Sequence, residues 1–134
     1  MQTQRTLPLA TFQRHARRRV EAAFDGGHLS SDGGVLLLRE VDQRLRLTER
    51  IAACFRDLRV QKYVEFTVRE LLAQRILGIA LGYADLQDHD WLRVDRALAL
   101  GVGRQDIEGH DRREKRDRGK PLCGKSTLNR LELS

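Results

Sequence analysis

The sequence predicts a mainly α-helical domain organised around one buried helix at about residues 67–82, and three observations carry that prediction. Residues 66–83, FTVRELLAQRILGIALGY, open on Thr67 and Glu70, a T-x-x-E capping box whose side chains satisfy orphan backbone donors at a helix start. Behind it Val68, Leu71, Leu72, Ile76, Ile79 and Ala80 recur at helical spacing, with Arg69, Glu70 and Gln74 on the opposite side. Composition points the same way. Aromatic residues make up only 5% of the chain and charged residues 33%, too few strand-forming side chains for a β-sandwich. The closing ILGIALGY is apolar nearly all round and is expected to be buried on every side, with Gly82 as the stop.

Taken in order, residues 1–20 form a basic arm. Arg5, Arg14, Arg17, Arg18 and Arg19 stand there without a single acid, whereas the remaining residues carry twenty Lys/Arg against nineteen Asp/Glu. Almost all of the net charge of +6 therefore sits on the arm. Such an arm suits a polyanion, nucleic acid being the commonest, and equally a solvated tail or an organellar targeting peptide. A turn-rich entry, FDGGHLSSDGG, follows, in which a few residues between the glycine pairs are extended. Ser30 or Ser31 is the expected N-cap of VLLLREVDQRLRL, whose Leu37, Leu38, Val41 and Leu45 make one apolar stripe. Thr48 is expected to cap a short helix turning Ile51, Ala52 and Phe55 inward.

Beyond Gly82, Asp85 or Asp88 suits the cap of a short helix in which Trp91 anchors the segment inward. Asp95 suits the cap of another, ended by Gly101 and Gly103. These elements, residues 21–103, make the helical domain. Residues 104–120 hold seven basic and five acidic residues with Ile107 as the sole aliphatic, and read as a charged linker or loop. Its basic members Arg112, Arg113, Lys115 and Arg116 offer a second surface for DNA, although Glu114 and Asp117 offset much of its field. Residues 121–134 then open an amphipathic helix capped at Ser126, with Leu128, Leu131 and Leu133 apolar.

Several function classes find no support. One hydrophobic core is all that 134 residues allow, and no apolar run approaches the ~18 residues of a membrane span. No apolar segment of secretory type follows the N-terminal charges. Cys54 and Cys123 form no CxxC pair and are expected as free thiols in a reducing compartment. GKPLCGKS, residues 119–126, satisfies G-x-x-x-x-G-K-[ST] letter for letter. A phosphate-cradling loop needs a buried strand before it, and DRREKRDR is not one, so no nucleotide is expected. Asp85, Asp88, His89 and Asp90 crowd together, but helix-capping explains them better than metal ligation. His15, His28 and His110 lack zinc-spaced partners, and no active site assembles from the residues alone.

Three phrases add to this reading. FDGGHLSSDGGVLLLREVD, LGYADLQDHDWLR and DRGKPLCGKSTLNRLELS resemble, in order and spacing, the N-terminal part of bacterial insertion-sequence transposases of the thirteen-eighty group, within the DDE superfamily. Arg96 stands where that family usually has proline, and Cys123 where it has a small residue. The resemblance implies a polynucleotidyl transferase with a ribonuclease-H-like core, in which two Asp and one Glu hold Mg2+ or Mn2+ ions. It places the first of those aspartates beyond GKSTLNRLE, so no position here receives it, and Asp32 is read as a helix cap. The chain is accordingly expected to be the N-terminal region of such a transposase, ahead of the catalytic core, without cofactor or catalytic residue of its own. Expected partners are DNA, bound weakly and with little sequence preference, and other transposase subunits, in a bacterial cytoplasm and on the nucleoid. The alternative is a stand-alone helical DNA-binding or regulatory protein with no enzymatic parent.

Overall fold

The structure, a computed structural model, describes residues 10–22 and 32–133; Arg5, His28, Ser30, Ser31 and the glycine pair at 26–27 lie outside them. The described residues are mainly helical, as composition and periodicity predict. Two short strands, β1 (Ala10–His15) and β2 (Arg18–Ala22), pair antiparallel, with Phe12 opposite Val20 and an irregularity between Phe12 and His15. Six helices follow: α1 (Val35–Leu45), α2 (Leu47–Ala52), α3 (Val68–Ala80), α4 (His89–Leu92), α5 (Arg96–Val102) and α6 (Lys125–Leu133). No described helix is long and apolar enough to cross a membrane.

Helix α3 is the centre, packed on α2, α5 and α6. Its start is set locally. The Thr67 hydroxyl accepts the Glu70 N–H at 3.1 Å and lies 3.3 Å from the Glu70 carboxylate. Asp95 caps α5 by accepting the Leu98 N–H at 3.0 Å, and Gly103 ends that helix in the left-handed region. One cluster, around Val35, Ala73, Leu77, Leu92, Leu98, Val102 and Leu122, joins α1, α3 and α5. A second, Phe66, Leu71, Cys123 and Leu128, seats α6. Glycine matters at the α1–α5 crossing, because a Cβ on Gly101 would come within 2.5 Å of Val35 Cγ2.

Which faces turn inward differs from the periodicity in several places. The stripe of Leu37, Val41 and Leu45 is exposed, at 62%, 51% and 57%, while Val35 and Arg39 are the buried residues of α1. Arg39 faces inward because the hairpin supplies acceptors for it: its guanidinium donates to the carbonyls of Gln13 (3.0 Å) and Arg14 (3.4 Å). On α3 the buried set is Leu71, Ala73, Gln74, Leu77 and Gly78, and Ile79 and Ala80 face out. The end of α3 is thus covered on one side, not all round. Thr48 lies inside α2, its N–H and hydroxyl both given to the Asp42 carboxylate at 2.8 and 2.7 Å. Phe55 is exposed. Trp91, expected as an inward anchor, is 82% exposed, and its place is taken by the buried His89 and Leu92.

The charged stretch 104–120 is folded against the body. Arg104 and Arg112 lie on the Phe66 ring at 4.6 and 4.8 Å, and Ile107 packs on the first cluster. Gly109 has φ +75, and a Cβ there would meet the Lys120 and Pro121 backbone at 2.7–2.8 Å. Guanidinium stems and ring contacts supply the packing that the missing aliphatics do not.

Candidate nucleic-acid interface

The hairpin β1–β2 positions four of the arginines that the sequence nominates. Arg14, Arg17, Arg18 and Arg19 are all exposed, Arg17 at the turn beside Ala16, whose φ is 52. Phe12 and Val20 of the hairpin are buried, and His15 Nε2 bonds the Arg104 carbonyl. Burial holds the His15 pKa below its ordinary value, so the imidazole is neutral and the arginines carry the hairpin's positive charge. Arg18 donates to the Gln105 carbonyl at 2.9 Å, and Arg19 pairs with Glu21. Arg14 and Arg17 have no acidic partner among the described residues. Residues 10–20 of the arm are therefore a docked ribbon, clasped by Arg39 from α1.

The second nominated set divides. Arg112 is buried: it donates to Glu65 (2.7 Å) and to the carbonyls of Lys120 (2.7 Å) and Leu122 (3.2 Å). It therefore organises the loop from within. Arg113 is exposed but turned back, donating to the Lys62 carbonyl at 2.6 Å with its guanidinium 5.2 Å from the Tyr63 ring centre. Lys115 and Arg116, on the 3-10 turn Lys115–Asp117, are exposed.

The remaining candidates resolve into structure. Asp85 caps the turn Leu86–Asp88 through the Gln87 N–H, and Asp90 accepts the first N–H of α6, from Lys125, at 3.0 Å. His89 is buried against Gln74, its pKa lowered chiefly by burial and then by Arg75. Asp32 does not cap α1 with its side chain; its carboxylate accepts the Tyr83 hydroxyl at 3.0 Å and meets Asp95. Burial first, and that second carboxyl next, push Asp95 above its usual range. Residues 119–126 follow the 3-10 turn, not a strand, and the Asp90 carboxylate occupies the helix start where a nucleotide loop would hold phosphate.

Over residues 12–134 the chain matches the family model described as transposase DDE domain group 1. The chain belongs to this transposase family. Neither a curated protein nor a solved structure shows significant similarity to it. Membership speaks against a regulator with no enzymatic relative. DDE chemistry needs carboxylates that converge on divalent ions, and among the described residues no three His, Cys, Asp or Glu are grouped to hold one. The described residues do not fit that metal site, and the carboxylates of Asp32, Asp85 and Asp90 are engaged in hydrogen bonds. What sequence reasoning missed in this transposase chain is the set of inward arginines, Arg39, Arg104 and Arg112. Nothing local distinguishes them from surface arginines.

Proposed function

We propose that this chain is a DNA-contacting accessory region of a DDE transposase, of the thirteen-eighty group on the three phrases quoted above. The observation that carries the proposal is the docked ribbon presenting Arg14, Arg17, Arg18 and Arg19 from one element. A two-stranded ribbon fits the B-DNA major groove, and arginines on it release phosphate counterions. Contacts of this kind favour affinity over sequence preference. Divalent ions belong, on this reading, to the transposase's catalytic core and not to the residues described here.

Fluorescence anisotropy with duplex DNA across a salt series tests the reading. Each phosphate neutralised contributes about 0.9 to the slope of log affinity against log salt. Replacing Arg14, Arg17, Arg18 and Arg19 by Ala is expected to flatten that slope by roughly two to four units. An unflattened slope, or a parent chain that ignores DNA at low salt, rules the reading out.

A second reading, contact with another transposase subunit, is favoured by the exposed stripe Leu37, Val41 and Leu45 on α1. Gln at all three positions is expected to shift sedimentation equilibrium toward monomer while leaving the salt slope unchanged. Identical sedimentation of variant and parent removes this reading.

A further inference from the structure

Between the end of α4, the turn Lys115–Asp117 and the start of α6 lies a cavity of about 510 Å3, within the range of roughly 300–1,000 Å3 usual for ligand sites. Its wall includes Arg93, Arg116, Lys120, Ser126, Thr127 and Arg130. Counting also Arg112, Asp90 and Asp117, five cations face two carboxylates, a net charge of +3 in one concave space. Both carboxylates already have cations. Asp117 accepts Arg93 at 3.1 Å and lies 3.5 Å from Arg112, and Asp90 holds the Lys125 N–H at 3.0 Å with the Lys125 ammonium at 3.8 Å. Arg116, Lys120 and Arg130 have no side-chain partner among the described residues, and neither do the Ser126 and Thr127 hydroxyls. The first N–H of α6 is taken by Asp90, so the attraction of this cavity comes from side chains of three segments. The Arg93–Asp117–Arg112 bridge holds two of those segments in place.

We propose that this cavity is a phosphate-binding pocket that receives a backbone phosphate of DNA, a second contact beside the hairpin. Three free cations and two hydroxyl donors converge on a space too polar for an apolar ligand, and a phosphate oxygen accepts from all of them. The proposal rests on the DNA-contacting reading and extends it, because the pocket needs none of the hairpin arginines.

The test uses the full chain and the variant Arg116→Ala/Lys120→Ala/Arg130→Ala, with its melting compared to the parent's. Two probes are applied: duplex DNA in a salt series, and inorganic phosphate at constant ionic strength followed by amide NMR shifts. The expected results are a salt slope lower by about 0.9, the share of one phosphate, and saturable phosphate shifts at residues 124–127 that the variant loses. If the parent binds DNA and the triple variant keeps its slope, the pocket is refuted while the hairpin reading stands. Absence of saturable phosphate shifts in the parent also refutes it. Phosphate shifts in a parent that binds no DNA uphold the phosphate pocket, assign it to free phosphate, and refute the DNA reading instead.

Discussion

The Nε2 of Gln74 lies 3.1 Å from Nδ1 of His89, so a polar side chain of α3 and the buried imidazole of α4 share one hydrogen bond in the interior. The same amide donates to the Cys123 carbonyl at 2.8 Å, and its oxygen accepts the Cys123 N–H at 3.2 Å. Gln74 is 1% exposed and ties α3, α4 and the segment leading into α6. Gln74→Leu keeps the volume and orphans three buried polar groups at once. A loss of about 3 kcal/mol or more in urea unfolding is expected, because each of the three unsatisfied buried groups costs about 1–3 kcal/mol. A loss under about 1 kcal/mol would mean that the network is not a structural tie.

Acid should loosen the fold before the usual carboxylate range is reached. His15 and His89 both have pKa values held below 6.5, chiefly by burial. The unfolded chain therefore takes up protons that the folded chain refuses. This stability is present above pH 6.5 and is lost as pH falls from there toward the folded values, at up to about 1.4 kcal/mol per pH unit for each histidine. Asp95, raised above 3.8, acts in the opposite sense: its contribution is full below 3.8 and is lost as pH rises through its folded value. Urea midpoints between pH 5 and 8 should rise with pH, and His15→Gln/His89→Gln should flatten the trend.

Arg112 and Arg116 are four residues apart and alike in sequence, yet their replacement should differ sharply. Arg112→Ala removes the donors held by Glu65, Lys120 and Leu122 and the cation on Phe66. A cost of about 3–5 kcal/mol is expected, as for breaking a buried pair. Arg116→Ala, on the exposed turn, should stay within about 0.5 kcal/mol. Equal melting of the two variants would show that the loop is not held from inside.

The two thiols should separate by reactivity. Cys54 is exposed, whereas burial pushes the Cys123 thiol up to about 12, against the opposing Arg112 and Arg93. Iodoacetamide at pH 8 is expected to label Cys54 quickly and Cys123 only after unfolding, as peptide mass spectrometry can follow. Prompt labelling of Cys123 in the native chain would contradict the packing of the second cluster.

What the sequence by itself determined lies within one helical turn. The Thr67–Glu70 cap, the Asp95 cap of α5 and the stops at Gly82 and Gly103 are legible because donor and acceptor are a few residues apart. The family resemblance is legible too, since it rests on contiguous phrases. Tertiary structure decided which faces those helices bury. A stripe such as Leu37, Val41 and Leu45 shows that a face is apolar, but burial requires a partner element, and α5 and the hairpin pack on the other side of α1. Gln74 and Arg112 look like surface residues in sequence. They are buried because their hydrogen-bond partners, Cys123 forty-nine residues away and Glu65 forty-seven away, arrive only when the chain folds. A polar group is excluded from a core only while it is unsatisfied, and satisfaction at that distance is a property of the fold.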